Sequence, residues 1–375
     1  HLPTNHGFDE FFGNLYHLNA EEEPEGYFYP KDPEFKKKYG PRGVIHSFAD
    51  GKIEDTGPLN IKRMPTIDEE FLGATKKFID TNAKANKPFF VWFNSTRMHV
   101  FTHLKPESLG KTGKGIHADG MVEHDSMVGE LLKQLDDLGI ADNTIVLYTT
   151  DNGAEIALPF HGEKGTTWEG GMCIPMMVRW PGVVKPGTQY NDIISLIDWF
   201  PTLCAGAGIP DIKEKMKAGF NAGKKTFKVH LDGYNFMPFF RGDEKQGPRD
   251  VIYYFDQGGN LNALRWNDWK LSFATSKGNI ATGTREVSAW ALITNLRMDP
   301  YERGLEEGGG AIDFLARNIW PLVLVQGKVK EFFSDFNQFP YQEGNSLNAA
   351  GINYGLLRQQ AALSRLKELE SLSPR

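Results

Sequence analysis

Residues 143–155 read Asn-Thr-Ile-Val-Leu-Tyr-Thr-Thr-Asp-Asn-Gly-Ala-Glu, NTIVLYTTDNGAE. An uncharged run rich in β-branched and aromatic residues fits a strand buried on both faces. The run stops on an acid, an amide and a glycine. One reading is a turn, because Asn-Gly is a strong turn dipeptide and Asp a good capper. The other is a ligand site. Asp151 and Asn152 both present oxygen, which suits a hard cation such as Ca2+ or Mg2+. They also follow the carboxyl end of a strand, where open parallel sheets bind ligands.

The flanking sequence alternates helix and strand. TIDEEFLGATKKFIDTNAKANKP (66–88) predicts a helix with Ile67, Phe71, Ala74 and Phe78 on one face and a Thr66/Glu69 capping box. FFVWFN (89–94) predicts a buried strand, and STRMHVFTHLKPE is the loop after it. A second helix is predicted over 118–138, with Leu131, Leu135 and Leu138 in its stripe and Gly139 as C-cap. CIPMMVRW (173–180) is a third strand, and IISLIDWFPTLCAGAG (193–208) a helix with Pro201 near its first turn or at a kink. This alternation predicts an α/β domain with a mostly parallel central sheet.

Residues 13–65, rich in Pro, Gly, Tyr and charge, read as long surface loops. After about residue 208 the texture changes. PDIKEKMKAGFNAGKKT is a polar connection, and the short strands VIYYF, NALRW and WKLSF predict a small antiparallel sheet turning at Asn267-Asp268. From about 310 the pattern is helical, ending in LLRQQAALSRLKELESL. These shifts divide the chain into a larger domain, 1–245, and a C-terminal subdomain, 246–375, with an antiparallel sheet and helices.

The 375 residues fit two domains, or one large domain with an appendage. Hydrophobic residues at 40% and charged residues at 24% provide for a large core and argue against disorder. A net charge of -6 without clustered Lys and Arg argues against a nucleic-acid partner. No apolar stretch reaches about 18 residues, so no membrane span is expected. Two cysteines, Cys173 and Cys204, exclude a disulfide scaffold and a Cys-rich zinc site. The start, HLPTNHGFDEFFG, has no Met and no leader pattern, and reads as a chain truncated upstream.

Two further features carry chemistry. In HGEKGTTWEGG (161–171), clustered glycines, Lys164 and two threonines suit the approach of an anion, beside the plainer reading of a flexible loop with a solvated lysine. His99 and His103 follow FFVWFN at i, i+4. A zinc pair is disfavoured, because no Glu follows His99 and the segment is not helical. A single substrate-contacting histidine and a surface histidine both remain open. His99, Asp151-Asn152 and Lys164 all follow strands of one expected sheet, so one shared site for an anion and a metal explains them jointly.

TIVLYTTDNGAE, EKGTTWEGGMCIPMMVRWPG and IDWFPTLCAGAG resemble the sulfatases of the alkaline-phosphatase-like superfamily. GFDEFFGNLYHLNAEEEPE, ADGKIEDTGPLNIKRMPTIDEE and FNSTRMHVFTHL are similar to a bacterial arylsulfatase branch, and NLRMDPYER to its C-terminal region. The resemblance implies a three-layer fold and hydrolysis of a small-molecule or carbohydrate sulfate ester. It implies that Asp151 and Asn152 ligate a divalent metal, usually Ca2+, that Lys164 holds the sulfate, and that His99 contacts the sulfate or the leaving-group oxygen. His103, His161 and Trp168 would line the pocket, beside an equally open structural reading of each. Periplasmic or secreted localisation is also implied.

The sequence departs from the family in three places. It lacks the Asp-Asp metal pair, the Gly-Lys-x-His-Leu-Gly segment, and the Cys/Ser-x-Pro-x-Arg motif whose first residue becomes the formylglycine nucleophile. DDLG (136–139) mimics the first, but Asp136 and Asp137 lie off the apolar stripe of a helix. CIPMM (173–177) mimics the third, but Met177 stands where Arg belongs, and Cys173 and Cys204 read as core residues. The expectation is a chain inactive by itself, with the missing parts upstream. Two alternatives stay open: a phosphate mono- or diester hydrolase of the same superfamily, and a non-catalytic anion-binding relative.

Overall fold

The computed structural model describes residues 2–154, 159–223, 225–278, 283–304, 310–340 and 364. The chain divides into two units, His1–Thr144 and Ile145–Arg375.

In the first unit, β1 (Glu10–Gly13), β2 (Ile45–Phe48) and β3 (Ile53–Asp55) form an antiparallel meander, with Phe12 opposite His46 and Ile45 opposite Asp55. Two of these strands and the short helices Leu18–Glu22 and Pro33–Tyr39 occupy the stretch expected to be loops. Strands of three and four residues are too short to display a period. The helix Ile67–Lys84 lies over this sheet: Phe71 meets Phe12 edge-on at 5.7 Å, in a core with Leu18, Val44, Leu59, Met64 and Ile67. The expected capping box does not form. Thr66 closes a preceding 3-10 turn and its hydroxyl donates to the Arg63 carbonyl at 3.3 Å, while Glu69 pairs with Lys105.

The second long helix, Ile116–Asp137, ends as expected on Gly139, whose φ of 67° is the left-handed conformation glycine adopts at no steric cost. Asp136 and Asp137 are exposed, and Asp137 pairs with Lys133 at 2.6 Å. FFVWFN is not a strand: Phe90 and Trp92 are 59% and 70% exposed. A run apolar on both faces becomes a buried strand only with neighbours to pair with, and none of the described strands pairs with it.

In the second unit, β4 (Val146–Thr149) pairs with β5 (Met176–Arg179), Val146 opposite Arg179 and Thr149 opposite Met176. The pairing is antiparallel, as is every strand pair among the described residues, so the mostly parallel sheet is not seen there. Among its described residues, the connection from β4 to β5 carries loops and one short helix, Glu169–Met172. The helix Trp199–Gly206 is preceded by a capping box, Ser195 with Asp198, and carries Pro201 in its first turn. Trp180, Trp199, Phe236, Phe239 and Phe240 form the core here.

The supposed polar connection after 208 contains a helix, Ile212–Ala218, and a hairpin of β6 (Phe220–Ala222) and β7 (Lys225–Phe227). The C-terminal sheet is antiparallel as expected: β8 (Val251–Phe255), β9 (Leu261–Trp266), β10 (Trp269–Lys277) and β11 (Thr284–Asn295), in the order β11-β10-β9-β8. Trp266 pairs with Trp269 across the Asn267-Asp268 turn, with Asn267 at a φ of 50°. The helix Pro321–Ser334 covers the sheet through Val325, packed with Val251, Leu264, Leu271 and Ile293. The helix expected over 356–372 lies outside the described residues, apart from Ser364.

Candidate active site

Beyond β4 the chain makes the turn that carries Asp151 and Asn152. Two backbone hydrogen bonds tie this turn to the 161–171 loop: Gly153 N–H donates to the Gly171 carbonyl at 3.0 Å, and Lys164 N–H to the Ala154 carbonyl at 3.0 Å. Only glycine fits at 153, since a Cβ there would stand 2.6 Å from the Gly171 carbonyl carbon and closer still to the Gly170 oxygen. Asp151-Asn152 and Lys164 are thereby held on adjacent loops.

Asp151 is exposed and Asn152 half-buried. Among the described residues, the Thr150 hydroxyl lies a loose 3.4 Å from the Asp151 carboxylate. One carboxylate and one amide on consecutive residues are hard oxygen donors that fit one side of a Ca2+ or Mg2+ shell. Ca2+ takes about six to eight oxygens, and among the described residues no cluster of three or more His, Cys, Asp or Glu forms. The donor set fits the ion in kind and is incomplete in number.

The 161–171 loop is hydrogen-bonded within itself. The Thr166 hydroxyl donates to the Glu163 carbonyl at 2.7 Å, and Gly170 N–H to the His161 carbonyl at 2.9 Å. Its far end is anchored by a buried ionic cluster. Lys270 Nζ, with its side chain fully buried, lies 3.0 Å from Glu169 Oε1 and 2.8 Å from Glu302 Oε1, and donates to the Thr167 carbonyl at 2.9 Å. Glu302 Oε2 accepts from Glu169 N–H at 2.6 Å, and Tyr254 Oη donates to Glu169 Oε1 at 2.8 Å. Burial pushes the Glu169 carboxyl up, but Lys270 and the hydrogen bonds from Cys173 and Tyr254 bring it below the ordinary glutamate value. At Glu302, burial prevails over Lys270 and the carboxyl is raised.

Trp168 is 6% exposed; its indole N–H donates to the Ser276 carbonyl at 3.2 Å, and the His161 ring stacks on it at 4.1 Å. His161 Nδ1 also lies 3.2 Å from the Glu302 carbonyl. Both residues are therefore built into the loop's anchorage. Cys173 is an exposed residue rather than a core one, although its sulfur turns inward onto Glu169. Desolvation of its sulfur and then the Glu169 charge push the thiol up to about 12, with Sγ donating to Glu169 Oε2 at 3.0 Å. A thiol so held is not a nucleophile near neutral pH. Cys204 is half-buried in the helix Trp199–Gly206.

His99 and His103 belong to the first unit. His99 is half-buried and stacks on His17, ring centroids 4.6 Å apart and nearly parallel at 6°. Its neighbour Met98 has a φ of 67°, which a non-glycine residue adopts only when its surroundings enforce it. The preceding residue, Arg97, is buried between two carboxylates: Nη1 is 3.1 Å from Asp68 Oδ2 and Nε is 2.9 Å from Glu123 Oε2. Nη2 donates to the Pro65 carbonyl at 3.0 Å, and Asp68 also accepts from Thr96 N–H at 2.8 Å. Burial raises the Asp68 carboxyl against the pull of Arg97, and lowers His124, whose Nδ1 lies 2.9 Å from the Ser95 hydroxyl. His103 Nε2 is 2.7 Å from Glu22 Oε2.

The sequence reading missed both ionic clusters. The signal for the first was present: Asp68 is an acid flanked by Ile67 and Phe71 on a helix's apolar face, and Glu123 sits one turn before Met127. Lys270 gave none, since a charged residue in a short antiparallel strand normally faces water.

A family model described as Sulfatase matches residues 2–209. Human (Homo sapiens) N-acetylgalactosamine-6-sulfatase is 31% identical over 285 residues, covering 73% of this chain and 49% of that protein. Steryl-sulfatase of Mus musculus is 28% identical over 284 residues, covering 65% of this chain and 42% of that protein. The crystal structure of PsFucS1 sulfatase from Pseudoalteromonas sp. superposes with a TM-score of 0.78 at 25% identity, covering 91% of this chain and 69% of that one. The chain spans about half the length of the curated relatives it matches. Its fold is of their alkaline-phosphatase-like α/β class, with the antiparallel C-terminal sheet described above.

Proposed function

The chain belongs to the sulfatase family, and on that premise we propose that it serves in the hydrolysis of a small-molecule or carbohydrate sulfate ester. The observation that carries this reading is the pair of hydrogen bonds, Gly153 N–H to Gly171 and Lys164 N–H to Ala154, that joins the Asp-Asn turn to the lysine loop. A sulfate ester is anionic, and charge grows on its bridging oxygen as the S–O bond breaks. The Lys164 ammonium, on a loop anchored by Glu169 and Lys270, binds the sulfate oxygens and stabilises that charge. His99, in a loop fixed by Arg97, contacts the sulfate or gives a proton to the leaving oxygen.

Asp151 and Asn152 would hold Ca2+, or Mg2+ in its place. Such an ion, when bound, supplies positive charge to the sulfate oxygens. The nucleophile of this reading is a formylglycine on a Cys/Ser-x-Pro-x-Arg segment, which the sequence does not contain. Cys173 does not fit that role, with Met177 in place of Arg and its thiol held on Glu169. The chain by itself is therefore proposed to be inactive. We also assign the catalytic domain to 1–245 and the C-terminal subdomain to 246–375, since β8 opens at Val251. Periplasmic or secreted localisation rests on the family likeness alone. No helix among the described residues is long and apolar enough to cross a membrane.

The test is hydrolysis of matched aryl sulfate and aryl phosphate, by this chain and by a form that also carries the Cys/Ser-x-Pro-x-Arg segment. The expected result is turnover of the sulfate by the second only, reduced about 100-fold or more by Lys164→Ala. Preference for the phosphate, or equal turnover by this chain alone, would overturn the reading.

A further inference from the structure

The first unit displays a surface that the hydrolytic reading leaves unused. Five aromatic residues, Tyr27, Phe28, Tyr29, Phe35 and Tyr39, line a cavity of about 490 Å3 together with Glu23. Tyr27 and Phe28 are 87% and 94% exposed, and their rings meet edge-on at 5.1 Å. Phe35 and Tyr39, four residues apart on the helix Pro33–Tyr39, present their rings on one side, 5.0 Å between centroids. Clustered exposed aromatic surface of this extent marks a binding site more often than a bare surface. Its edge carries lysines beside Asp32 and Glu34. Lys38 Nζ lies 5.1 Å from the Tyr39 ring centroid, and Lys31 Nζ donates to the Gly26 carbonyl at 2.9 Å. Lys36 and Lys37 stand on the same helix, and among the described residues no carboxylate pairs with Lys36, Lys37 or Lys38.

We propose that this aromatic cavity is a subsite for a sulfated oligosaccharide. The C–H face of a pyranose ring is apolar and weakly positive, and stacks on the negative face of an aromatic ring. Glu23 accepts hydrogen bonds from sugar hydroxyls inside the cavity and repels sulfate from it, so the sulfate groups fall to the lysine rim. The choice of a sulfated glycan rests on the reading of the chain as a sulfate-ester hydrolase. A nucleic acid fits less well, since the chain carries a net charge of -6 and no basic stripe.

The experiment is calorimetric titration of the chain with sulfated tetrasaccharides of two backbones, chondroitin and carrageenan, and with their desulfated counterparts. At least one sulfated tetrasaccharide should bind, with its desulfated form about 10-fold weaker. The double variant Tyr27→Ala, Phe28→Ala should lose about 10-fold or more, and Lys31→Gln, Lys38→Gln about 3- to 10-fold. All four side chains are exposed, and circular dichroism checks that the variants fold. No binding of either sulfated probe, unchanged binding by the aromatic variant, or equal binding of the desulfated sugars overturns the proposal. So does equally tight binding of a single-stranded oligonucleotide, or a dimer that Phe28→Ala dissociates. None of these readouts needs turnover, so failure of aryl sulfate hydrolysis leaves the subsite standing, and failure of glycan binding leaves the hydrolytic reading standing.

Discussion

The amide of Gly153 donates to the carbonyl of Gly171 across 3.0 Å, joining the turn after β4 to the loop bearing Lys164. Gly153→Ala should break this contact, because its methyl would overlap backbone atoms that cannot rotate away. A loss of about 1–3 kcal/mol is expected. Chemical denaturation measures the loss. An unchanged midpoint would mean that the two loops are not held by this contact.

Arg97 should be indispensable to the first unit. Removing it as Arg97→Met leaves Asp68 and Glu123 buried without a cation, at a cost of about 3–5 kcal/mol. Arg97→Lys should recover less than half, since an ammonium cannot bond both carboxylates and the Pro65 carbonyl in the guanidinium's planar geometry. Urea unfolding of both variants checks the order.

Lys270→Met should cost a similar amount, about 3–5 kcal/mol near neutral pH, by stranding Glu169 and Glu302 together. The deficit should shrink toward about pH 5, where the two stranded carboxyls take up protons. A pH series of unfolding midpoints distinguishes this from simple loss of packing, which would be independent of pH.

Glu21 gives a pH dependence of opposite origin. Burial raises its carboxyl from 4.5 to about 7, and Asp55 adds to the shift. The side chain is 4% exposed and its Oε1 has no hydrogen-bond partner among the described residues. A raised folded-state value means that the stability from the protonated form is fully present below pH 4.5 and is lost as pH rises through about 7. Glu21→Gln should therefore stabilise the protein at pH 8 by on the order of 1–3 kcal/mol and change little at pH 4. Thermal unfolding at the two pH values measures it.

Calcium should bind this chain weakly. Two oxygen donors, Asp151 and Asn152, fall short of the shells that give even millimolar affinity, so a Kd weaker than about 10⁻³ M is expected. Asp151→Ala should abolish what remains. Micromolar binding by calorimetry would show that other residues complete the shell.

Much of the architecture was legible in the sequence because long amphipathic runs carry their own address. The stripes of 67–84 and 116–137 and the Asn267-Asp268 hairpin follow from local periodicity and turn chemistry, as does a helix within 193–208, whose start at Trp199 and capping box only the structure gave. Asp151, Asn152 and Lys164 could be singled out only jointly, since each alone reads as an ordinary turn or loop. Tertiary structure alone decided the rest. FFVWFN reads as a buried strand, but a strand needs partners that its own sequence does not supply, and Trp92 stands in solvent. CIPMM reads as core, yet Cys173 is exposed, with its thiol on Glu169. Lys270 and Arg97 look like ordinary charged residues until residues distant in sequence, Glu302 for one and Asp68 and Glu123 for the other, are seen to close around them. Local sequence sets which groups can do chemistry; which of them are buried, paired and fixed depends on contacts between segments far apart along the chain.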